Sequence, residues 1–424
     1  MMMRTTVVAM AMLAATTAHA ETFAIQAGRL IVDASQAAMG PSTVIIENGR
    51  ILRIEPGATA PAGATVVDLT SKTVMPGLID THVHLTGDPG TPFWQEAINS
   101  DESAAITGVK NALLTVRAGF TTVRDLGAPG DASFALRDGI AAGQVPGPRV
   151  LASGGALSIT GGHGDVSGFR PEVNAALATN TTCSGADACA ERVREWSKRG
   201  ADVIKITATG GVLSQQGRGL EGHFMSAEIQ AITATAARLG LKVAAHAHGA
   251  RGIEEAAAAG VNSIEHGTFA DDAALKVMKA KGVWMVPTLM AFSGLNDRVG
   301  KNIYTPVVEN KAKAALKLWG DGLRAAKRMG VKIAYGTDAG VFEHGRNGEE
   351  AQLMVTKGGM TPRDVLISAT RDAAELLGIS ADTGTLAVGK VADLIAVDGD
   401  PLTDARALTK VAYVMAAGRV VPMK

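Results

Sequence analysis

Six residues of this chain have types and positions suited to metal chemistry: His82, His84, Lys205, His246, His266 and Asp338. The first two end the stretch Met75-Pro76-Gly77-Leu78-Ile79-Asp80-Thr81-His82-Val83-His84, which reads as a short buried strand. Residues i and i+2 of an extended strand point to the same side, so both imidazoles can face inward and share one ion. A neutral ring nitrogen is a ligand for zinc and related metals. An isolated His-x-His is ordinarily two polar residues near a strand end; here further ligand types follow in order. Lys205 lies inside Asp202-Val203-Ile204-Lys205-Ile206. His246 closes the run from Leu241, His266 the run from Val261, and Asp338 the run from Val331. Each of these three ends a short apolar segment that follows a helix-like one. Catalytic residues occupy such places at the C-terminal ends of (β/α)₈ barrel strands.

The elements that must position them can be read off the same pattern. Barrel strands are expected near residues 78–84, 120–125, 148–153, 202–208, 241–246, 261–266, 283–287 and 331–337, with helices between. Ser226 is expected to cap one helix, and the alanine-rich 254–259 stretch to form another that Gly260 ends. Connections longer than about 12–15 residues in a compact domain are usually functional, so 154–187 reads as an active-site loop. Thr209 to His223 reads as a second. Before the barrel, residues 21–75 alternate like strands, with Asn48-Gly49 as a hairpin turn. Residues 381–424 behave likewise, so the chain divides into 21–75, a barrel over 76–380, and 381–424.

Residues 1–20 read as an export signal: Arg4, an apolar core over Val7–Ala15, and a small-x-small cleavage site at Ala18-His19-Ala20. The mature protein is therefore expected in the periplasm or secreted. The 424 residues suit one decorated barrel, and 46% hydrophobic with 4% aromatic residues means a core of Ala, Val, Ile and Leu. Forty-one basic and forty-one acidic residues balance, which argues against nucleic acid or a charged membrane surface as partner. Cys183 and Cys189, six positions apart, can close a small disulfide loop in an oxidising compartment or stand as free thiols.

The ligand series resembles that of the amidohydrolase superfamily, binuclear type. The phrases PGLIDTHVHL, GFTTVRDLG, GGHGD, IKITATGGV, AAHAHG, IEHGT and GTDAG resemble its imidazolonepropionase-like branch of Xaa-Pro dipeptidases and metallo-carboxypeptidases, which includes amidases able to cleave ochratoxin A. The resemblance implies a (β/α)₈ TIM barrel beside a small β-sandwich built from both chain ends. It implies two divalent metal ions, with zinc the first expectation and Mn, Co or Fe compatible. It implies a carbamate formed from CO₂ on Lys205 (N6-carboxylysine), whose apolar flanks Ile204 and Ile206 would favour the neutral amine. His82, His84, Lys205 and Asp338 are then expected at one metal, and Lys205, His246 and His266 at the other. Asp338 would pass a proton from the attacking water to the leaving amine.

His163, in Gly161-Gly162-His163-Gly164-Asp165, is implied to face substrate as a catalytic or carboxylate-binding group. His248 shares a side with His246 and is a substrate contact, a hydrogen-bonding support, or a competitor for the ligand role. Arg218 and His223 are either binders of a substrate carboxylate or surface charges, and Tyr304 is a candidate substrate contact. Arg124 and Asp125 are candidate partners of one another inside the barrel, and Pro287 through Phe292 suggest an apolar wall. The expected reaction is hydrolysis of the amide bond of a dipeptide or N-acyl amino acid with a free carboxylate, ochratoxin A among the plausible substrates. The branch also implies a homo-oligomer, octamers among its assemblies. Two alternatives stand beside this: a mononuclear deaminase or cyclic-amide hydrolase, and a non-catalytic scaffold. The first lacks its usual glutamate in His246-Ala247-His248-Gly249; the second would be expected to lose ligands that this chain keeps.

Overall fold

A computed structural model describes residues 21–178 and 180–424. The expected export signal lies outside the described residues. The architecture is α/β. Apolar, β-branched runs form strands β1 (Thr22–Leu30), β2 (Ser42–Glu47), β3 (Arg50–Pro56), β4 (Thr65–Pro76), β5 (Leu78–Val83), β6 (Phe120–Asp125) and β7 (Arg149–Ala152). They continue as β8 (Val203–Thr207), β9 (Lys242–Ala247), β10 (Ser263–His266), β11 (Trp284–Val286), β12 (Leu394–Val397), β13 (Val411–Ala416) and β14 (Arg419–Val420).

Both ends of the chain meet in one mixed sheet of order β14-β13-β12-β4-β1-β2-β3. Asn48 and Gly49 both take positive φ, 51° and 76°, the backbone a two-residue hairpin between β2 and β3 needs. The free side of β3 bonds back to the segment before β12, through Ile51 N–H to Lys390 O and Gly389 N–H to Ile51 O. The sheet thus curls around its own core of Phe23, Ile25, Val44, Ile46, Leu394 and Met415.

The remaining strands form two all-parallel sheets, β5-β6-β7 and β8-β9-β10-β11. They are buried along nearly their whole length, as parallel strands covered by helices must be. At one seam Leu157 exchanges backbone bonds with the Lys205 and Thr207 peptides of β8. At the other, the segment around 331–339 lies between β11 and β5. Met285 N–H donates to Lys332 O, and Asp338 N–H to His82 O. This segment was expected as a strand. It makes only isolated parallel bridges, Met285 to Ile333 and Val83 to Ala339, and its Tyr335 N–H leaves the sheet for Ser368 O.

Two local expectations shift. Ser226 is the first helical residue rather than the cap; the Glu228 carboxylate instead accepts the Met225 N–H at 2.8 Å. The alanine-rich helix starts earlier, at Ala250, and Gly260 follows its end with φ 94°. Cys183 and Cys189 are bonded, which ties the end of the 154–187 loop to the helix Ala186–Lys198. No helix among the described residues is long and apolar enough to cross a membrane.

Candidate metal centre

The C-terminal ends of the parallel strands converge on one cavity of about 990 Å³, lined by His82, His84, His163, Lys205, His246, His248, His266 and Asp338. Within it, one ligand atom from each of His82, His84 and Asp338 falls within 4.8 Å of the others, and the same holds for His246, His248 and His266. Lys205 Nζ lies 3.4 Å from His82 Nε2. Six of the expected groups are therefore together. His248 joins the second cluster as a full third imidazole, its ring centroid 4.6 Å from that of His246 and 4.9 Å from that of His266.

Each imidazole is held at one ring nitrogen. His82 Nδ1–H donates to Glu265 Oε2 at 2.9 Å, and His84 Nδ1–H to the Gly127 carbonyl at 3.0 Å. These acceptors fix the tautomer and leave Nε2 with its lone pair in the cavity. His246 instead reaches the Gly210 carbonyl through Nε2, at 3.3 Å, which leaves Nδ1 for the site. His248 and His266 pair through Nδ1 with the Thr268 and Thr288 hydroxyls, each at 2.7 Å. Three non-glycine residues at the cavity end of this frame have positive φ: His266 at 72°, Thr288 at 48° and Asp338 at 64°. Such backbone costs on the order of 1–3 kcal/mol per residue and persists where surrounding structure imposes it.

The electrostatics suit mainly neutral imidazoles around an anion; His84 is an exception, since burial opposes its charge but the Asp338 carboxylate raises it above the ordinary value. Burial lowers His82 and His248 to about 4 and His163 to about 3, and lowers His246 and His266 well below their ordinary value. Burial alone would raise Asp338, but the facing His82, His84 and His266 hold its carboxyl well below the usual range. Burial brings Lys205 down to about 8, against the pull of Glu265 and Asp338. Neutral imidazole nitrogens plus a carboxylate form a donor set that fits a divalent ion such as zinc.

Sequence reasoning missed the support beneath these groups. Glu265, wholly buried in β10, accepts from His82 and from Arg124 Nη2 at 2.9 Å. Its signal was present: a carboxylate inside an apolar strand must find a partner. Arg124 thus pairs with Glu265 rather than with Asp125, whose carboxylate accepts from Leu85 N–H at 2.8 Å. The arginine side chain reaches across to Ser263 and Glu265 of β10, while Asp125 turns to the strand-end loop, where it also accepts from Gly127 N–H. Asp80, two residues before His82, accepts from the Thr337 N–H and hydroxyl and from Asn347 Nδ2, bracing the turn that presents Asp338.

His163 sits on the cavity wall with its ring centroid 4.4 Å from that of His246, and its Nδ1 is buried with no hydrogen-bond partner among the described residues. Arg218 is exposed, and His223 is half-buried with both ring nitrogens unpartnered among the described residues. Tyr304 packs against an apolar cluster containing Val212 and Phe292. These three are absent from the cavity wall: Arg218 is exposed, and Tyr304 is held in the apolar cluster behind it. The apolar wall is real in part: Ala291 and Phe292 line the cavity with Leu295, Val212 and Leu213, whereas Leu289 and Met290 are buried in the main core.

An α/β frame presenting histidine and aspartate clusters able to hold metal ions at its parallel strand ends matches a class, the metal-site hydrolases built on parallel strands. The amidohydrolase family profile matches residues 73–421. The chain belongs to the amidohydrolase family, whose members hydrolyse amide and related bonds. It is 32% identical to an ochratoxinase of Aspergillus niger over 354 residues, 78% of this chain and 71% of that one. It superposes on the crystal structure of a Xaa-Pro dipeptidase with bound methionine in the active site. The TM-score there is 0.87 at 37% identity, covering 94% of this chain and 99% of that one. The crystal structure of A. niger ochratoxinase matches with a TM-score of 0.83 and 29% identity over 95% of each chain.

Proposed function

We propose that this protein is a binuclear metal-dependent amidohydrolase that cleaves the amide bond of dipeptides or N-acyl amino acids with a free carboxylate. The observation that carries the reading is the pair of three-ligand clusters with the buried Lys205 amine beside them. The frame is read as a (β/α)₈ barrel with a small β-sandwich-type domain from the two chain ends. His82, His84 and Asp338 would hold one ion, and His246 and His266, with His248 in reach, the other. A carbamate on Lys205 would bridge them; burial in β8 favours the neutral amine that CO₂ requires. Bound divalent ions, zinc first, supply Lewis acidity toward the scissile carbonyl and acidify water.

The chain's own groups do the rest. Asp338 accepts the proton of the attacking water and returns it to the leaving amine. Its Oδ1 is 3.3 Å from His84 Nε2 and 3.5 Å from His82 Nε2, beside the ligand nitrogens of the first cluster. His163, on the cavity wall beside His246, donates to the developing oxyanion. Phe292, Leu295 and Val212 exclude water and favour an apolar side chain. Both named relatives support the substrate class: one is an ochratoxinase, the other a Xaa-Pro dipeptidase. Export through residues 1–20 and a symmetric homo-oligomer complete the proposal; periplasmic fractionation and light scattering test them.

The deciding experiment is elemental analysis of the purified mature chain with a panel of dipeptides, N-acyl amino acids and ochratoxin A, before and after chelation. Two metals per chain and chelator-sensitive cleavage are expected. One metal without amide cleavage would transfer the reading to a deaminase or cyclic-amide hydrolase. No metal and no turnover after adding zinc and bicarbonate would leave a scaffold.

A further inference from the structure

Lys311 lies outside every ligand set above, on the helix Pro306–Leu316 that follows β11. Its ammonium is half-buried and has neutral oxygens as its hydrogen-bond partners. It donates to Gly211 O and Ser214 O, each at 2.7 Å, to Gln216 O at 3.1 Å and to Ser214 Oγ at 3.2 Å. Among the described residues it has no carboxylate within ion-pair distance. A half-buried charge is costly without a carboxylate partner unless its protons are fully bonded, and here three backbone carbonyls of one short loop bond them.

That loop touches two others. Gln216, whose carbonyl Lys311 holds, sends its side-chain amide to Gly162 O and Ser167 Oγ, both at 2.9 Å. Thr305, beside the helix start, donates to Gln215 Oε1 at 2.8 Å. Gly211, the other end of the Lys311 set, lies flat against His163. A Cβ built there would fall 2.3 Å from the His163 ring. The next residues, Val212 and Leu213, line the cavity.

We propose that Lys311 is a positioning residue: it latches the 211–216 loop to the helix after β11 and, through Gly211 and Gln216, sets His163 and the apolar wall of the cavity. The inference rests on the amidohydrolase reading for its kinetic consequence, but the latch itself is a statement about loop order. The ammonium ties the loop after β8 to the helix Pro306–Leu316, and the Gln216 amide ties that loop to the one after β7, so the wall can open as a unit when the latch is broken. An active-site group displaced by about 1 Å can lose on the order of 100-fold in rate.

The test compares the full-length parent with Lys311→Met, Gly211→Ala and the double variant, each loaded with zinc. Hydrogen exchange by mass spectrometry and metal content are read on all four, and kcat and KM on whichever panel amide the parent cleaves. Lys311→Met is expected to speed exchange in peptides covering 209–217 and 161–167 and to leave metal content unchanged. It should lower kcat about 10–100-fold, more than it raises KM. Gly211→Ala should lower kcat by pushing His163 aside, and the double variant should fall less than the product of the two single effects. Faster exchange spread over the whole chain with loss of metal, or unchanged exchange in the two loops, overturns the latch. Loop loosening with unchanged kinetics overturns the positioning role. A parent that cleaves nothing on the panel refutes the hydrolase reading, while the exchange comparison still decides the latch.

Discussion

Replacing Glu265 by leucine should separate two things that this carboxylate does at once. Glu265 and Arg124 are 0% and 1% exposed, so the charge pair has no solvent to fall back on. Removing one member of a buried pair costs about 3–5 kcal/mol, mostly because the remaining charge is stranded. At about 2 °C per kcal/mol for a chain of this size, Tm should fall by roughly 6–10 °C. The same substitution frees His82 Nδ1, now bonded at 2.9 Å, so the imidazole can turn and change tautomer. Loss of such an outer partner weakens metal binding about 10–100-fold. The double variant Arg124→Met with Glu265→Leu removes the stranded cation. It should recover most of the Tm, because apolar replacement of a whole buried pair is often neutral. Its metal affinity should remain low, because His82 still lacks its acceptor. Thermal unfolding of the metal-free protein and zinc titration against a competing chelator measure the two effects. The reasoning fails if the single variant loses less than about 1 kcal/mol, or if zinc affinity returns in the double variant together with Tm.

Other outcomes follow from the same structure. The metal-free protein should lose stability as pH falls from about 6.5 to about 4. His82, His163 and His248 have folded values of about 4, 3 and 4, so the unfolded chain takes up protons first. Asp80 and Asp125, raised by burial to about 6, and Glu350 and His84, also raised, act the other way over part of that range; the five lowered site histidines, His82, His163, His246, His248 and His266, should outweigh them in a Tm-against-pH series. Breaking the Cys183–Cys189 bond with a double serine variant should cost about 2 kcal/mol by the chain-entropy argument for a short loop. Denaturant titration with and without reductant checks that value, and a change under about 0.5 kcal/mol would refute it. His163→Asn should leave metal content intact and lower kcat on the order of 100-fold, as removal of an oxyanion donor does. A variant that loses metal instead would make His163 a ligand.

The local directions of the site were set by the sequence alone. Period-two alternation turns His82 inward and places His84 within reach of the same Asp338. The Asn48-Gly49 hairpin, the short strands ending in His246 and His266, and the alanine-rich helix closed near Gly260 follow from equally short-range rules. Partner choice did not. Arg124 selected Glu265, 141 positions away, over the adjacent Asp125, because neighbouring strand residues face opposite sides of the sheet. Alternation put His248 on the His246 side. Only the packing of β10, which brings His266 and Thr268 against it, made it a third member of that cluster. Arg218 and His223 read as either carboxylate binders or surface charges because their loop follows a catalytic strand, and Tyr304 as a candidate contact because it follows the seventh strand. The loop's course is decided elsewhere, by the Lys311 ammonium on a helix 95 to 100 positions downstream. Propensity and periodicity act over one turn or one pleat, so the sequence carries direction. Which groups meet is a matter of how strands and loops from distant parts of the chain pack, and the tertiary structure alone decides it.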